Sequence, residues 1–239
     1  YYRWAEKAAV KWGRAVIADA QAIADHVERQ YGRKCVVIPY GAQVITPGHD
    51  RLPELDLAPD DYHLIVARFE PENHILDAVH AYRQSHEART LIVVGSAPYS
   101  DWYVDKIHQA AAGDPRITFT GGIYDQELLD QLYANAIAYV HGHSVGYTNP
   151  SHQRAMGAGA PVLAYDVEFN REVTAGQALF WADAQELTGH FDAIAAGEIA
   201  SELSRLSEAG RARIAEAYQW DDVTDKYEVL ITRLKASKK

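Results

Sequence analysis

From position 62 onward, short apolar runs alternate with longer polar stretches in which apolar residues recur at helical spacing. The runs at 62–67, 90–95, 117–120, 136–140, 161–165 and 179–181 read as strands. The intervening and following segments at 73–85, 101–112, 125–135, 184–196, 199–217 and 220–235 read as helices. A further helix is opened by Pro150 and closed near Gly157 and Gly159. Strands apolar on both faces, alternating with helices of about 10 to 15 residues, predict a parallel sheet covered on both sides. The predicted fold class is therefore a doubly wound, Rossmann-like α/β domain.

The first part of the chain is patterned differently. A helix is expected over 1–12, a strand over 14–18, a helix over 21–31 and a strand over 34–39 that ends in a turn at Pro39-Tyr40-Gly41. Asp19 is placed to cap the second helix and Gly32 to stop it. Residues 46–61 are rich in Pro, Asp and Gly without an apolar period, so a linker is expected there. The chain thus divides into an α/β segment at 1–45, a linker at 46–61 and a sheet domain at 62–239.

In a doubly wound sheet, ligands bind beyond the carboxyl ends of the strands. Four loops lie on that edge, at 68–73, 95–101, 121–125 and 141–149. The last is the most informative: a polar loop containing Gly142 and Gly146 runs directly into the helix that begins at Pro150. Main-chain N–H groups and the positive end of a helix dipole then converge on one spot, which is an anion site.

Composition narrows the function classes. With 48% hydrophobic and 23% charged residues, the chain is an ordinary globular α/β composition. A net charge of −10, with basic residues clustered only at 235–239, argues against a nucleic-acid partner. The single cysteine, Cys35, excludes an internal disulfide and a cysteine-based metal site, and its apolar neighbours suggest a small buried hydrophobe. No apolar run approaches the roughly 18 residues of a membrane span. No signal peptide is visible, and a cytoplasmic location is the default expectation. The chain begins at Tyr1 with a helix under way, so a fragment of a longer protein is expected. The aromatics Tyr1, Tyr2, Trp4 and Trp12 of that helix serve either as core contacts or as an exposed former interface.

Several residues carry two readings. Arg68 is either a phosphate-binding cation or the partner of Glu70 or Glu72, which flank a turn at Pro71. Asp166 and Glu172 are either catalytic carboxylates or loop caps. His141 and His143 face one side of a strand end, yet no Cys, Asp or Glu completes a ligand set at defined spacing, so no metal is expected. A site joining His152 to His141 or His143 is the alternative.

Five strings occur in one order: IPYGA (38–42), RFEPEN (68–73), VVGSAPY (93–99), YDQELLDQLYANA (124–136) and FNREV (169–173). With the loop HGHSVGYTNP at 141–150, they resemble the C-terminal, donor-binding domain of retaining GT-B glycosyltransferases of family 4, and more narrowly bacterial rhamnosyltransferase-like members. The resemblance implies that a nucleoside diphosphate-sugar lies at the carboxyl edge. Its diphosphate would meet the main chain around Gly146, Tyr147, Thr148 and Asn149, with Arg68 as the fixed cation. His141, His143 and Ser144 would bond the sugar or leaving phosphate, with Asn170, Arg171 and Glu172 nearby and His143 and Glu172 as catalytic candidates. No DxD pair is present, which agrees with a site that needs no metal cofactor. The partner would be the N-terminal, acceptor-binding GT-B domain, of which 1–45 would be the tail, and the chain by itself would have little transferase activity.

The chain also departs from that pattern. Arg154 stands where the family has a ribose-binding glutamate, Tyr147 where it has a second glycine, and His152 and Gln153 where two leucines are expected. These changes cluster, which suggests a rival reading: an engineered scaffold that binds a protein target through Trp102, Tyr147, His152, Gln153 and Arg154.

Overall fold

The computed structural model describes residues 2–97, 101–145 and 149–236. The N-terminal segment comprises α1 (Tyr2–Trp12), β1 (Ile17–Ala18), α2 (Gln21–Tyr31) and β2 (Val36–Val37), with β1 and β2 paired in parallel. Its strands are shorter than predicted, because only Ile17↔Val36 and Ala18↔Val37 are in register. Gly32 does end α2, in the left-handed conformation (φ 65°) with its N–H on the carbonyl of Glu28. Asp19 is not the cap: Ala20 holds that position without a side-chain bond. Cys35 is half-buried rather than buried, and burial pushes its thiol pKa up. Trp4 and Trp12 are 67% and 71% exposed, so α1 packs neither ring into a core.

The remaining strands are β3 (Tyr62–Val66), β4 (Thr90–Val94), β5 (Ile117–Gly121), β6 (Ala138–His141), β7 (Val162–Tyr165) and β8 (Leu179–Trp181). They form one sheet in the order β5-β4-β3-β6-β7-β8, with every pairing parallel. The helices are α3 (Ile75–Gln84), α4 (Asp101–Ala111), α5 (Gln126–Ala134), α6 (Pro150–Ala158), α7 (Glu168–Thr174), α8 (Ala184–Ala195), α9 (Ala200–Ala217) and α10 (Trp220–Ala236). Strand alternation sorts the core into two layers. Ile65, Leu91, Val93 and Leu163 join α3, α4 and α8 on one face; Leu64, Ile92, Val94 and Tyr139 join α5, α6 and α9 on the other. This is the doubly wound α/β fold the pattern predicted.

Residues 46–61 are not a free linker. Leu52 is fully buried in the second layer with Leu57 beside it, and a 3-10 turn spans Leu52–Leu55. The side chain of Gln131 holds Asp50 and the main chain of Arg51, while Arg51 pairs with Glu54 and Asp125. No helix among the described residues is long and apolar enough to cross a membrane.

The strand order reverses direction between β3 and β6, and the loops that leave these two strands diverge to opposite faces. That is the topological switch point, where such sheets leave a crevice.

Candidate functional site

At the switch point the β3–α3 loop and the β6–α6 loop are laced together. Gly142 lies so close to the Asn73 carbonyl that a Cβ would come within 2.2 Å of its oxygen, so only glycine permits the approach. The amide of Ser144 donates to the Glu72 carbonyl (2.9 Å). The Nδ2 of buried Asn73 donates to the Arg68 carbonyl (2.8 Å), which turns its Oδ1 toward Nδ1 of His143 (2.8 Å). From α7, Asn170 is 1% exposed and donates to the carbonyls of His143 (3.0 Å) and Tyr165 (2.8 Å). Asn170 therefore supports the loop from behind.

This bonding fixes the chemistry of His143. Asn73 Oδ1 only accepts, so Nδ1 carries the hydrogen, and burial holds the ring pKa below its usual value. The neutral ring keeps Nε2 as a lone-pair acceptor. It is suited to accept from a hydroxyl and cannot donate to a phosphate.

The two loops and the start of α6 enclose a cleft of about 570 Å³, lined among others by Tyr40, Arg68, Glu72, Asn73, His143 and Asn149. Asn149 caps α6, its side chain accepting from the Ser151 amide (2.9 Å), and Pro150 fills the first helical position. Arg68 rests on Glu70 (3.2 Å) with its side chain 68% exposed, so its guanidinium is free to swing to an anion in the cleft. Gly146, Tyr147 and Thr148 lie outside the described residues. Among the described residues, no three His, Cys, Asp or Glu side chains gather as metal ligands.

A family model described as glycosyl transferases group 1 matches residues 55–213, which span the entire six-stranded sheet. The chain belongs to the group 1 glycosyl transferases. No curated relative matches by sequence. Among solved structures, sucrose-phosphate synthase from Thermosynechococcus elongatus superposes with a TM-score of 0.82 at 24% identity, over 97% of this chain and 61% of that one. HepE from Anabaena, solved with UDP and glucose, gives 0.80 at 21% identity, over 98% of this chain and 66% of that one. A glycosyltransferase from Rickettsia africae gives 0.80 at 15% identity, over 94% and 64%. The chain thus spans less than two thirds of the length of these structures, and its parallel sheet with flanking helices matches part of their GT-B fold.

In this group 1 glycosyl transferase several expected site residues are employed elsewhere. Glu172 does not face the cleft: its carboxylate accepts from the amides of Gln21 (2.7 Å) and Ala22 (3.1 Å), capping α2 in place of Asp19. Arg171 forms a two-bonded pair with Asp166 (2.5 and 2.7 Å), its guanidinium 4.1 Å above the Phe180 ring, away from the cleft wall. Arg154 grips Asp130 of α5 through two bonds (2.5 and 2.8 Å) and borders a separate cavity with Gln43, Tyr133 and Trp220.

His152 and Gln153 are not a contact surface either, because both are fully buried. The leucines expected there would face the core, and helix geometry holds these polar side chains in the same place. The His152 ring lies 4.2 Å from that of His141, which is also buried and so does not reach the cleft. Trp102 is 59% exposed on α4 beneath the Lys106 ammonium (5.0 Å), with Tyr147 outside the described residues. With His152 and Gln153 buried and Arg154 paired, these residues do not form one exposed binding face among the described residues. The residues not anticipated are Tyr40 and Asn73; Asn73 closes the RFEPEN string on the carboxyl-edge loop 68–73, and that place was the sequence signal for it.

Proposed function

We propose that the cleft at the β3/β6 switch point binds a nucleoside diphosphate-sugar, and that the chain is the donor half of a retaining, family 4 glycosyltransferase of rhamnosyltransferase-like type. The observation that carries this reading is the meeting, in one cleft, of Arg68, the capped start of α6 and the neutral Nε2 acceptor of His143. Arg68 and the helix terminus receive the diphosphate, and His143 accepts from a hydroxyl of the sugar. Departure of the diphosphate leaves charge on its oxygens, which fixed donors stabilise without a metal cofactor. HepE with UDP and glucose supports a uridine nucleotide as the first probe.

An acceptor-binding GT-B domain completes the active site, so the chain alone is expected to transfer little sugar. Titration calorimetry with UDP, GDP and dTDP, in EDTA, tests the reading. We expect one diphosphate to bind 1:1 and Arg68→Ala to weaken it about tenfold or more, as loss of a charge-assisted contact does. Absence of binding by all three, or binding indifferent to Arg68, overturns it.

A further inference from the structure

Beside the cleft, three side chains form a hydrogen-bonded line that the donor reading above does not use. Asp77 Oδ2 lies 2.7 Å from Nδ1 of His74, and Nε2 of the same ring lies 2.9 Å from Oγ of Ser144. The Ser144 hydroxyl also reaches the Glu72 carbonyl (3.1 Å). His74 belongs to the β3–α3 loop and Ser144 to the β6–α6 loop, so the line crosses the switch point. Ser144 stands between His143 and Val145, both on the cleft wall.

His74 is held there against its own backbone preference. Its φ is 47°, a left-handed conformation that costs a non-glycine residue of this kind. The ring is clamped by a stack on Tyr165 (4.1 Å, 12°) and by the edge of Trp181 (6.2 Å). A position where glycine would be easier is occupied by an imidazole held by Asp77, Ser144, Tyr165 and Trp181.

We propose that His74 is a positioning residue: oriented by Asp77, it sets the hydroxyl of Ser144 to receive the diphosphate of the donor. The inference rests on the donor-site reading and deepens it. Asp77 only accepts, so Nδ1 of His74 carries a hydrogen and Nε2 is the atom that meets Ser144. A ring that bears hydrogen on Nδ1 alone accepts the Ser144 proton; one that bears hydrogen on both nitrogens donates to Oγ, and the single hydroxyl proton, which the Glu72 carbonyl accepts in this structure, then turns to the anion. In the second arrangement the anion's charge is answered by imidazolium through one hydroxyl, with Asp77 balancing the ring.

The test is UDP titration calorimetry on the chain and on His74→Gly, Ser144→Ala, Ser144→Thr and the His74→Gly/Ser144→Ala double variant. Glycine suits a φ of 47°, so His74→Gly should fold, checked by its thermal transition. We expect each of His74→Gly and Ser144→Ala to weaken UDP about tenfold, the double variant to be no weaker than either, and Ser144→Thr to bind as before. A downfield imidazole N–H resonance in the proton NMR spectrum should vanish in Asp77→Asn and in His74→Gly. UDP bound equally by the chain and His74→Gly, losses that multiply in the double variant, or a spectrum without that resonance each overturns the relay while leaving the donor site standing. Failure of the unmutated chain to bind any nucleoside diphosphate overturns both.

Discussion

His152 is fully buried, and among the described residues neither of its ring nitrogens has a hydrogen-bond partner. The neighbouring ring of His141 offers none, since its own Nε2 is also unpartnered. Leaving a buried polar group unsatisfied costs about 1–3 kcal/mol. His152→Leu removes two such atoms and restores apolar contact at similar volume, so it should stabilise the fold by about 1 kcal/mol or more. A Tm rise of roughly 3 °C by calorimetry would show it, and an unchanged or lower Tm would mean that the nitrogens are satisfied. The identity of this residue could not reveal its burial, because histidine is found at surfaces as readily as inside. The position in the helix decides instead: His152, Gln153, Ala155, Met156, Gly157 and Ala158 are all buried, and α6 exposes almost no face for a polar side chain to occupy.

At the scale of elements, parallel strands were legible because burial on both faces makes them continuous apolar runs, as in LIVV at 91–94. α7 was not legible: seven residues make barely two turns, and its start at Val167 carries no side-chain cap. That omission hid the roles of Glu172 and Arg171, which α7 directs toward α2 and Asp166. The contact between α5 and α6 was likewise invisible in the sequence, since Asp130 and Arg154 belong to different helices. Arg154→Glu would return the family's carboxylate to α6, yet it would set two carboxylates against each other where a half-buried bidentate pair now stands. We expect a loss of about 1–3 kcal/mol in urea denaturation and its partial recovery in Asp130→Arg/Arg154→Glu. A stable Arg154→Glu single variant would show that the pair contributes nothing to the packing of these helices.

For the molecule as a whole, the alternation of strands and helices announced the fold class, whereas strand order emerged only in three dimensions, and with it the crevice where Asn73 and His143 meet. The same packing gives the protein a stability profile across pH. Burial drives the pKa of His141 well below its usual value, with the adjacent His152 adding to the effect. Burial likewise lowers His152, to about 3. Both rings titrate near 6.5 in the unfolded chain, so between about pH 6.5 and 4 the unfolded state binds protons that the native state refuses. Their contribution to stability is complete above pH 6.5 and is lost as pH falls. Each ring should contribute a slope of up to about 1.4 kcal/mol per pH unit, so two give at most about 3. The carboxylates act later: Glu87, held low by its bonds to His63 and Arg89 against the opposing effect of burial, begins to lose its contribution as pH falls through the ordinary carboxylate range and loses the rest below it. Urea midpoints measured at pH 7.5, 6.5, 5.5 and 4.5 should therefore begin to fall at the histidine step, and His152→Leu should flatten that slope without abolishing it, because burial also holds His63 and His143 low. A profile flat down to pH 5 would mean that the two rings accept protons inside the native fold, and the dry contact between β6 and α6 would have to be abandoned.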